Sequence, residues 1–299
     1  MRFRLRHMLL LLVVLALVAA GCGDDDNGGD ASDDTPTTTA ATKVTFAAGT
    51  TMAELQEQGT VRIGTKYDQP GLGNINLETE EPEGFDVEIG KLIASKLGID
   101  EDDIEWVESI SANREAFLQN DQVDFIVATY TINDARKQVV DFAGPYYVAG
   151  QDLLVREDDD SINGPDDLAG KRVCAASGST PIERIREEYP DAEPVEFDTY
   201  TECVDQLQSG QVDAVSTDDI ILAGYAADPN YEGEFRVVGE TFSEEPYGIG
   251  LEKGDDDFRD FLNDVIEQSY EDGTWEEAFD ATLGASGVEA PEPPAVDRY

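Results

Sequence analysis

Three cations, Lys66, Arg114 and Arg136, each follow closely on a short apolar run, and the stretch VATYTINDAR, residues 127–136, puts the hydroxyls of Thr129 and Thr131 ahead of the last of them. In an open α/β sheet the ligand lies beyond the carboxyl ends of the strands, and all three cations fall at such an edge. With Ser111 and Asn133 as helix caps, Arg114 and Arg136 take the third helical position, where the helix dipole disfavours positive charge. An arginine there makes sense if an anion shares the site. Backbone N–H groups, two hydroxyls and a bidentate guanidinium would together hold a carboxylate. The plainer alternative is a pair of surface arginines facing the abundant acids.

The complementary charge comes from further along the chain. LQNDQVD at 118–124 and LQSGQVD at 207–213 share five of seven residues. Five residues beyond Asp124 stands Thr129, and five beyond Asp213 stands Asp218. Equivalent places in two related units would then offer a hydroxyl to an anion and a carboxylate to a cation, which suits a small zwitterion. In SGSTPIERI, Thr180 reads as a cap, Pro181 as the first helical residue and Glu183 as the partner in a capping box, leaving Ser179 and backbone amides near the same cleft.

Composition removes other chemistry. The one histidine of the 299 residues is His7, inside an apolar leader, so the rest of the chain has no Ser-His-Asp or Cys-His machinery and no histidine metal ligand. PGLGNIN lacks the third glycine of a dinucleotide loop. DDDNGGD fails as a calcium loop because Gly28 and Thr35 stand where ligands belong. No cofactor and no metal are expected. The formal charge is −46; removal of residues 1–21, with Arg2, Arg4 and Arg6 and no acid, takes the 20 Lys+Arg to 17 against 66 Asp+Glu and the charge to −49. Such a surface repels phosphate backbones and anionic headgroups, so nucleic acid is not an expected partner.

The elements that must position these groups are read from periodicity. TVRIGTK, IEWVES and QVDFIVATY read as strands; GFDVEIGKLIASKLGI places Phe85, Ile89, Leu92, Ile93 and Leu97 on one helical face, and SANREAFLQN and NDARKQVV each start a helix. A second round follows from about Gly150, with KRVCAA, PVEF and QVDAVS as strands and TPIERIREEY, YTECVDQLQSG and DDIILAGYAA as helices. This βαβ alternation predicts open, largely parallel sheets in two α/β lobes, with the chain crossing near Tyr147 and returning near Tyr247. A helical pair in residues 257–284 closes the first lobe. The expected boundaries are a signal peptide over 1–21, a disordered spacer over 22–43, lobe 1 over 44–147 plus 247–285, lobe 2 over 148–246 and a disordered tail over 286–299.

The leader has a basic start, an apolar run from Met8 to Ala20 and then small residues, as an export signal does. LVAAGC resembles the lipobox of bacterial lipoproteins, which makes Cys22 the expected lipidated, palmitate-bearing residue; an ordinary signal peptide or an uncleaved anchor is the alternative. The expected location is the outer face of the cytoplasmic membrane. In an exported chain Cys174 and Cys203 are expected to form a disulfide, with two buried free thiols as the alternative.

IGTKYDQPGLG, GFDVEIGKLIASKLG, SANREAFLQN, VDFIVATYTINDARKQVVDFAGPYY, GQDLLV, LAGKRVCAASGST and QVDAVSTDDIILAGY together resemble the polar-amino-acid solute-binding proteins of ABC importers, nearest to the glutamate/glutamine group of actinobacterial lipoproteins. The similarity runs from about Val61 to Leu283. It implies a two-lobed, periplasmic-binding-protein-like (type II) fold with a hinge and an interlobe ligand cleft. By the same resemblance Arg136, with Thr129 and Thr131, grips the ligand α-carboxylate, Asp218 takes the α-amino group, and Ser179 and Thr180 touch ligand from lobe 2. Lys66 and Arg114 would meet a side-chain carboxylate. Pro181 departs from the pattern, because several relatives carry a polar, ligand-touching residue there. The implied function is a monomeric, non-enzymatic receptor for an acidic amino acid, glutamate before glutamine or aspartate, that serves an ABC permease. The competing reading is a cyclohexadienyl dehydratase-like enzyme on the same fold.

Overall fold

A computed structural model describes residues 44–284 and 287–299. The expected signal peptide, the expected lipidation site Cys22 and the expected spacer lie outside the described residues. In chain order the first elements are α1 (Thr51–Gln58), β1 (Val61–Thr65), β2 (Asp68–Gln69), β3 (Gly73–Ile75), β4 (Pro82–Glu83), α2 (Phe85–Leu97), β5 (Ile104–Glu108), α3 (Arg114–Gln119), β6 (Phe125–Ile126) and β7 (Asp141–Ala149). Then come β8 (Gln151–Arg156), β9 (Arg172–Ala176), α4 (Thr180–Glu188), β10 (Glu193–Phe197), α5 (Tyr200–Gln208), β11 (Ala214–Asp218), α6 (Asp219–Ala227) and β12 (Phe235–Val237). β13 (Glu245–Leu251), α7 (Asp256–Asp272) and α8 (Thr274–Thr282) complete the set.

Two five-stranded sheets share one plan. The first runs β5-β1-β6-β13-β7 and the second β10-β9-β11-β8-β12. In each, the first three strands pair in parallel and the last two join antiparallel, so the sheets are mixed rather than largely parallel. The long antiparallel pair β7/β13, in which Tyr147 faces Tyr247, carries the chain out to the second sheet and back. β2, β3 and β4 form a separate small antiparallel sheet.

The repeated QVD has the same task in both sheets. Asp124 accepts the backbone N–H of Arg62 at 2.6 Å and its guanidinium at 2.6 Å, and Asp213 accepts the backbone N–H of Arg172 and its guanidinium, each at 2.8 Å. Arg62 stands near the start of β1 and Arg172 at the start of β9, so each aspartate ties the second strand of its sheet, in the order given, to the third. Local sequence accounts for much of the rest. α5 begins with a capping box in which Thr199 and Glu202 satisfy each other's backbone N–H. α2 ends at Gly98, whose φ of 80° suits a residue without a Cβ. Phe85 at the start of α2 packs edge-on against Trp275 and Phe279 of α8, with ring centroids 5.7 and 5.6 Å apart, which seats the last helix on the first sheet.

Cys174 of β9 and Cys203 of α5 are joined by a disulfide, both fully buried. Closing a loop of about 30 residues stabilises the fold by roughly 3.6 kcal/mol on the chain-entropy estimate.

Two expectations need correction. The polar, proline-bearing end reads as a disordered tail, yet residues 287–299, although without regular secondary structure, are held in place. Asp297 donates its N–H to Gly144 O at 2.8 Å, and the Tyr299 hydroxyl accepts from Phe142 N at 2.9 Å. Lys137 and Arg259 lie over the Tyr299 ring, at 3.9 and 4.7 Å. The partners belong to the free edge of β7, the turn before it and α7, far off in sequence. The second correction concerns NDARKQVV, which forms only a 3₁₀ turn at Arg136–Gln138 before β7 begins.

Candidate ligand-binding cleft

Lys66, Arg114 and Arg136 are all buried, with 2, 2 and 7% of each exposed. They approach from three connections on one edge of the first sheet: the segment after β1, the start of α3 and the turn before β7. Lys66 Nζ donates to Ser111 Oγ at 2.8 Å, and Arg114 Nη1 donates to the carbonyls of Ala128 and Thr129 at 3.0 and 3.2 Å. Both guanidiniums lie over the ring of Tyr130, Arg114 at 4.3 Å and Arg136 at 5.0 Å. Burial and the neighbouring guanidiniums push the Lys66 ammonium down to about 7, and burial together with Arg136 takes Arg114 to about 10. Three cations held this close without a full set of acids make an electrostatic demand for an anion.

The caps differ from the sequence reading. Asn133 Oδ1 does accept the Arg136 N–H at 2.8 Å, but on a short turn, and Ser111 bonds Lys66 rather than capping α3. A helix dipole therefore cannot be what Arg136 answers. Its Nη1 bonds Thr131 O at 2.7 Å, its Nε bonds Glu115 at 3.1 Å, and its Nη2 reaches Gly178 O, beyond β9, at 3.2 Å. Three of its five N–H groups are engaged and one remains on each Nη. Ser179, not Thr180, caps α4, accepting from Ile182 N, and no capping box forms at Glu183. Thr180, one residue inside the helix, instead bonds Glu245 Oε2 at 2.9 Å and lies 3.4 Å from Thr131 Oγ1.

Thr129 has φ of 43°, a strained value for a β-branched residue. Asp86, fully buried, holds it there: one carboxylate oxygen accepts Thr129 N at 2.8 Å and the other the Tyr146 hydroxyl at 2.7 Å. Burial raises the Asp86 carboxyl to about 6. Opposite, at the end of β11, Asp218 Oδ2 accepts the Tyr247 hydroxyl at 2.6 Å while Oδ1 is buried without a partner. Burial first, and then the negative charge of Glu245, lift Asp218 to about 8. Glu245 is itself buried and bonded to Arg184, Thr180 and Ser243.

The eight residues expected to bind ligand thus share one cleft: Lys66, Arg114, Thr129, Thr131 and Arg136 on the first sheet's side, Ser179, Thr180 and Asp218 on the second's. On the outer side of Arg136 is a groove of about 280 Å³ lined also by Ser111, Glu115, Asn133, Gly178 and Glu183. The sides meet directly, for Asp68 accepts the N–H groups of Tyr200 and Thr201 at 2.7 and 3.4 Å, giving α5 acceptors from across the cleft. Asp86, Gln69 and Glu245 are not singled out by the sequence, and Tyr247 is singled out only as a crossing point, not for its bond to Asp218. The signal for Asp86, an acid at the start of an otherwise apolar helix face, was present; the others gain their meaning from partners 29 to 65 residues away.

Residues 61–285 match the model of the bacterial extracellular solute-binding proteins, family 3. The chain belongs to that family. Among relatives, the glutamate-binding protein GluB of Corynebacterium glutamicum is 45% identical over 242 residues, covering 78% of this chain and 81% of that one. The glutamine-binding protein of Geobacillus stearothermophilus is 43% identical over 211 residues, covering 70% and 79%. Among solved structures, an ancestral arginine-binding protein bound to glutamine superposes with a TM-score of 0.70 at 35% identity, covering 76% of this chain and 98% of that one. Family 3 membership makes this chain a two-lobed extracellular receptor and not an enzyme, so the dehydratase reading is set aside. Among the described residues no helix is long and apolar enough to cross a membrane.

Proposed function

We propose that this solute-binding protein is the lipid-anchored receptor of an ABC importer for glutamate. The observation that carries the reading is charge: three buried cations on one wall of the cleft stand against Asp218 on the other, a buried carboxylate with one oxygen unpartnered, while the neighbouring buried Glu245 is already bonded to Arg184, Thr180 and Ser243. The α-carboxylate of an amino acid would take the two free N–H groups of Arg136 with the hydroxyl of Thr131, and Thr129, whose own proton goes to Gln69, would line that end of the cleft. Its ammonium would meet Asp218, with Ser179 and Thr180 beside it. Lys66 and Arg114 are left for a second carboxylate.

The lobes of this reading are residues 44–147 with 247–285, and 148–246, hinged where the chain crosses at Tyr147 and Tyr247. The anchor is Cys22, from its lipobox-like setting, and mass spectrometry of membrane-extracted protein would detect the lipid there. The partner is a membrane permease, met by a monomer.

Calorimetric titration across the twenty amino acids tests the ligand. Glutamine would leave Lys66 and Arg114 desolvated without a counter-charge, a loss of roughly 2 to 4 kcal/mol. Glutamate is therefore expected to bind more tightly by on the order of 30-fold or more. Equal affinities would remove the role given to Lys66 and Arg114.

A further inference from the structure

Gln69 ends the short strand β2, and its side chain is fully buried. Its Oε1 accepts the Thr129 hydroxyl at 3.1 Å, and Nε2, with two N–H groups, has no partner in the protein. Native proteins seldom bury a donor in that condition, and one that is left unpaired calls for a partner outside the chain or another physical reason. The backbone on either side of Gln69 leads to the two side-chain cations. Gln69 pairs with Gly73, which lies so close to Lys66 that an added Cβ would come within 2.7 Å of its carbonyl oxygen. On its other side is Thr129, whose carbonyl oxygen accepts Arg114.

Besides four hydroxyls and Asn263 Nδ2, three unpartnered buried side-chain atoms remain among the described residues, and these three sort by kind. Gln69 Nε2 and Arg114 Nε, both donors, belong to the first sheet's side, while Asp218 Oδ1, an acceptor, belongs to the other. Resting on the glutamate reading above, we propose that Gln69 is a specificity-determining residue whose Nε2 donates to the side-chain carboxylate of the ligand beside Lys66 and Arg114. Its Oε1, by taking the Thr129 proton, fixes the direction in which Nε2 points. The cations supply the preference for negative charge, and the amide supplies position: two N–H groups aimed at one spot require an oxygen there and leave an NH₂ group unpaired.

Gln69→Glu tests this with almost no change of shape, since it keeps an acceptor for Thr129 and replaces the two donors by a second acceptor. A carboxylate there repels the glutamate side chain and accepts the amide N–H of glutamine. In titrations of the purified full-length protein, Q69E is expected to weaken glutamate by about 30-fold or more and to move the glutamate-to-glutamine ratio toward glutamine by at least about 10-fold. Loss of both ligands in equal proportion overturns the proposal, because Gln69 would then act only on the common α-amino-acid end or on the fold. Should Q69E not fold, Gln69→Met, neutral and of similar volume, decides the matter: glutamate at least about 5-fold weaker supports the proposal, and unchanged affinity overturns it. If the wild-type protein binds neither amino acid, the glutamate reading itself has failed, an outcome distinct from either.

Discussion

At the scale of single residues the cleft is a balance of costly charges. Lys66 and Arg114 are expected to read the ligand side chain and Arg136 the α-carboxylate, so Arg114→Ala should narrow the preference for glutamate over glutamine. Arg136→Ala should instead weaken all amino acids in similar proportion, by about 2 to 4 kcal/mol for a buried charge pair broken on one side. Paired titrations separate the two outcomes, and an equal loss of glutamate and glutamine in R114A would show that Arg114 does not read the side chain. The pH dependence follows from the same burial. Lys66, lowered to about 7, is charged below that value and must regain a proton above it to meet a carboxylate. Asp218, raised to about 8, is ionised above that value and must lose a proton below it to meet an ammonium. Glutamate affinity should therefore peak between about pH 7 and 8, falling toward acid as Asp218 takes up a proton below about 8 and toward alkali as Lys66 loses one above about 7. Titrations from acid to alkali check this, and Lys66→Met should abolish the alkaline limb alone.

At the scale of elements, closure depends on how near two backbones come. Gly224 of α6 faces the loop after β2, and an added Cβ would lie 2.3 Å from Pro70 O. The contact joins opposite sides of the cleft, beside the bonds from Asp68 to α5. In a separated state the same Cβ would cost nothing, and alanine favours a helix over glycine by about 1 kcal/mol. Gly224→Ala is thus expected to leave the ligand-free melting temperature unchanged or slightly higher while weakening glutamate by on the order of 10-fold. Thermal shift with and without ligand reads both. The C-terminal segment makes a different use of neighbouring elements. The edge strand β7 has backbone groups that β13 does not reach, and Asn263, Tyr270, Trp275, Asp297 and Tyr299 bond Gly144 N, Pro145 O, Tyr146 O, Gly144 O and Phe142 N. An edge so covered offers no row of free groups to another chain.

For the whole molecule the question is how a chain of charge −46 receives an anion. Charges on the outside are screened beyond about 8 Å at physiological salt, whereas the cleft cations act at contact in a poorly solvated space. Salt should therefore change the rate of encounter more than the affinity. Because the two poles of the site stand on different sheets, the ligand can satisfy both only when they are together, so binding should draw the lobes closed about the β7/β13 crossing. Small-angle scattering with and without glutamate is expected to show a smaller radius of gyration in its presence; an unchanged radius would count against hinge closure. The sheets and most of the helices were legible in the chain, because apolar spacing is fixed by the period of each element and does not depend on partners. The repeated LQ..QVD even announced the common plan of both sheets, since the Asp124 and Asp213 bonds join segments that each sheet repeats.

The sequence by itself determined the kind of protein: βαβ order in two rounds, a binding chemistry without histidine, three cations at strand ends and an acid at the matching place in the second round. All of these depend on residue type and short spacing. Tertiary structure alone decided what each polar group faces. Ser111 looks like a cap and serves Lys66; Thr180 looks like a cap and bonds Glu245; a polar tail becomes the cover of a strand edge. Gln69 is unremarked in the chain because its partner, Thr129, comes from another connection 60 residues away. Hydrogen bonds and ion pairs act over a few ångströms with no regard for sequence separation, and so the direction of a buried donor is fixed only once the sheets have brought those connections to one edge.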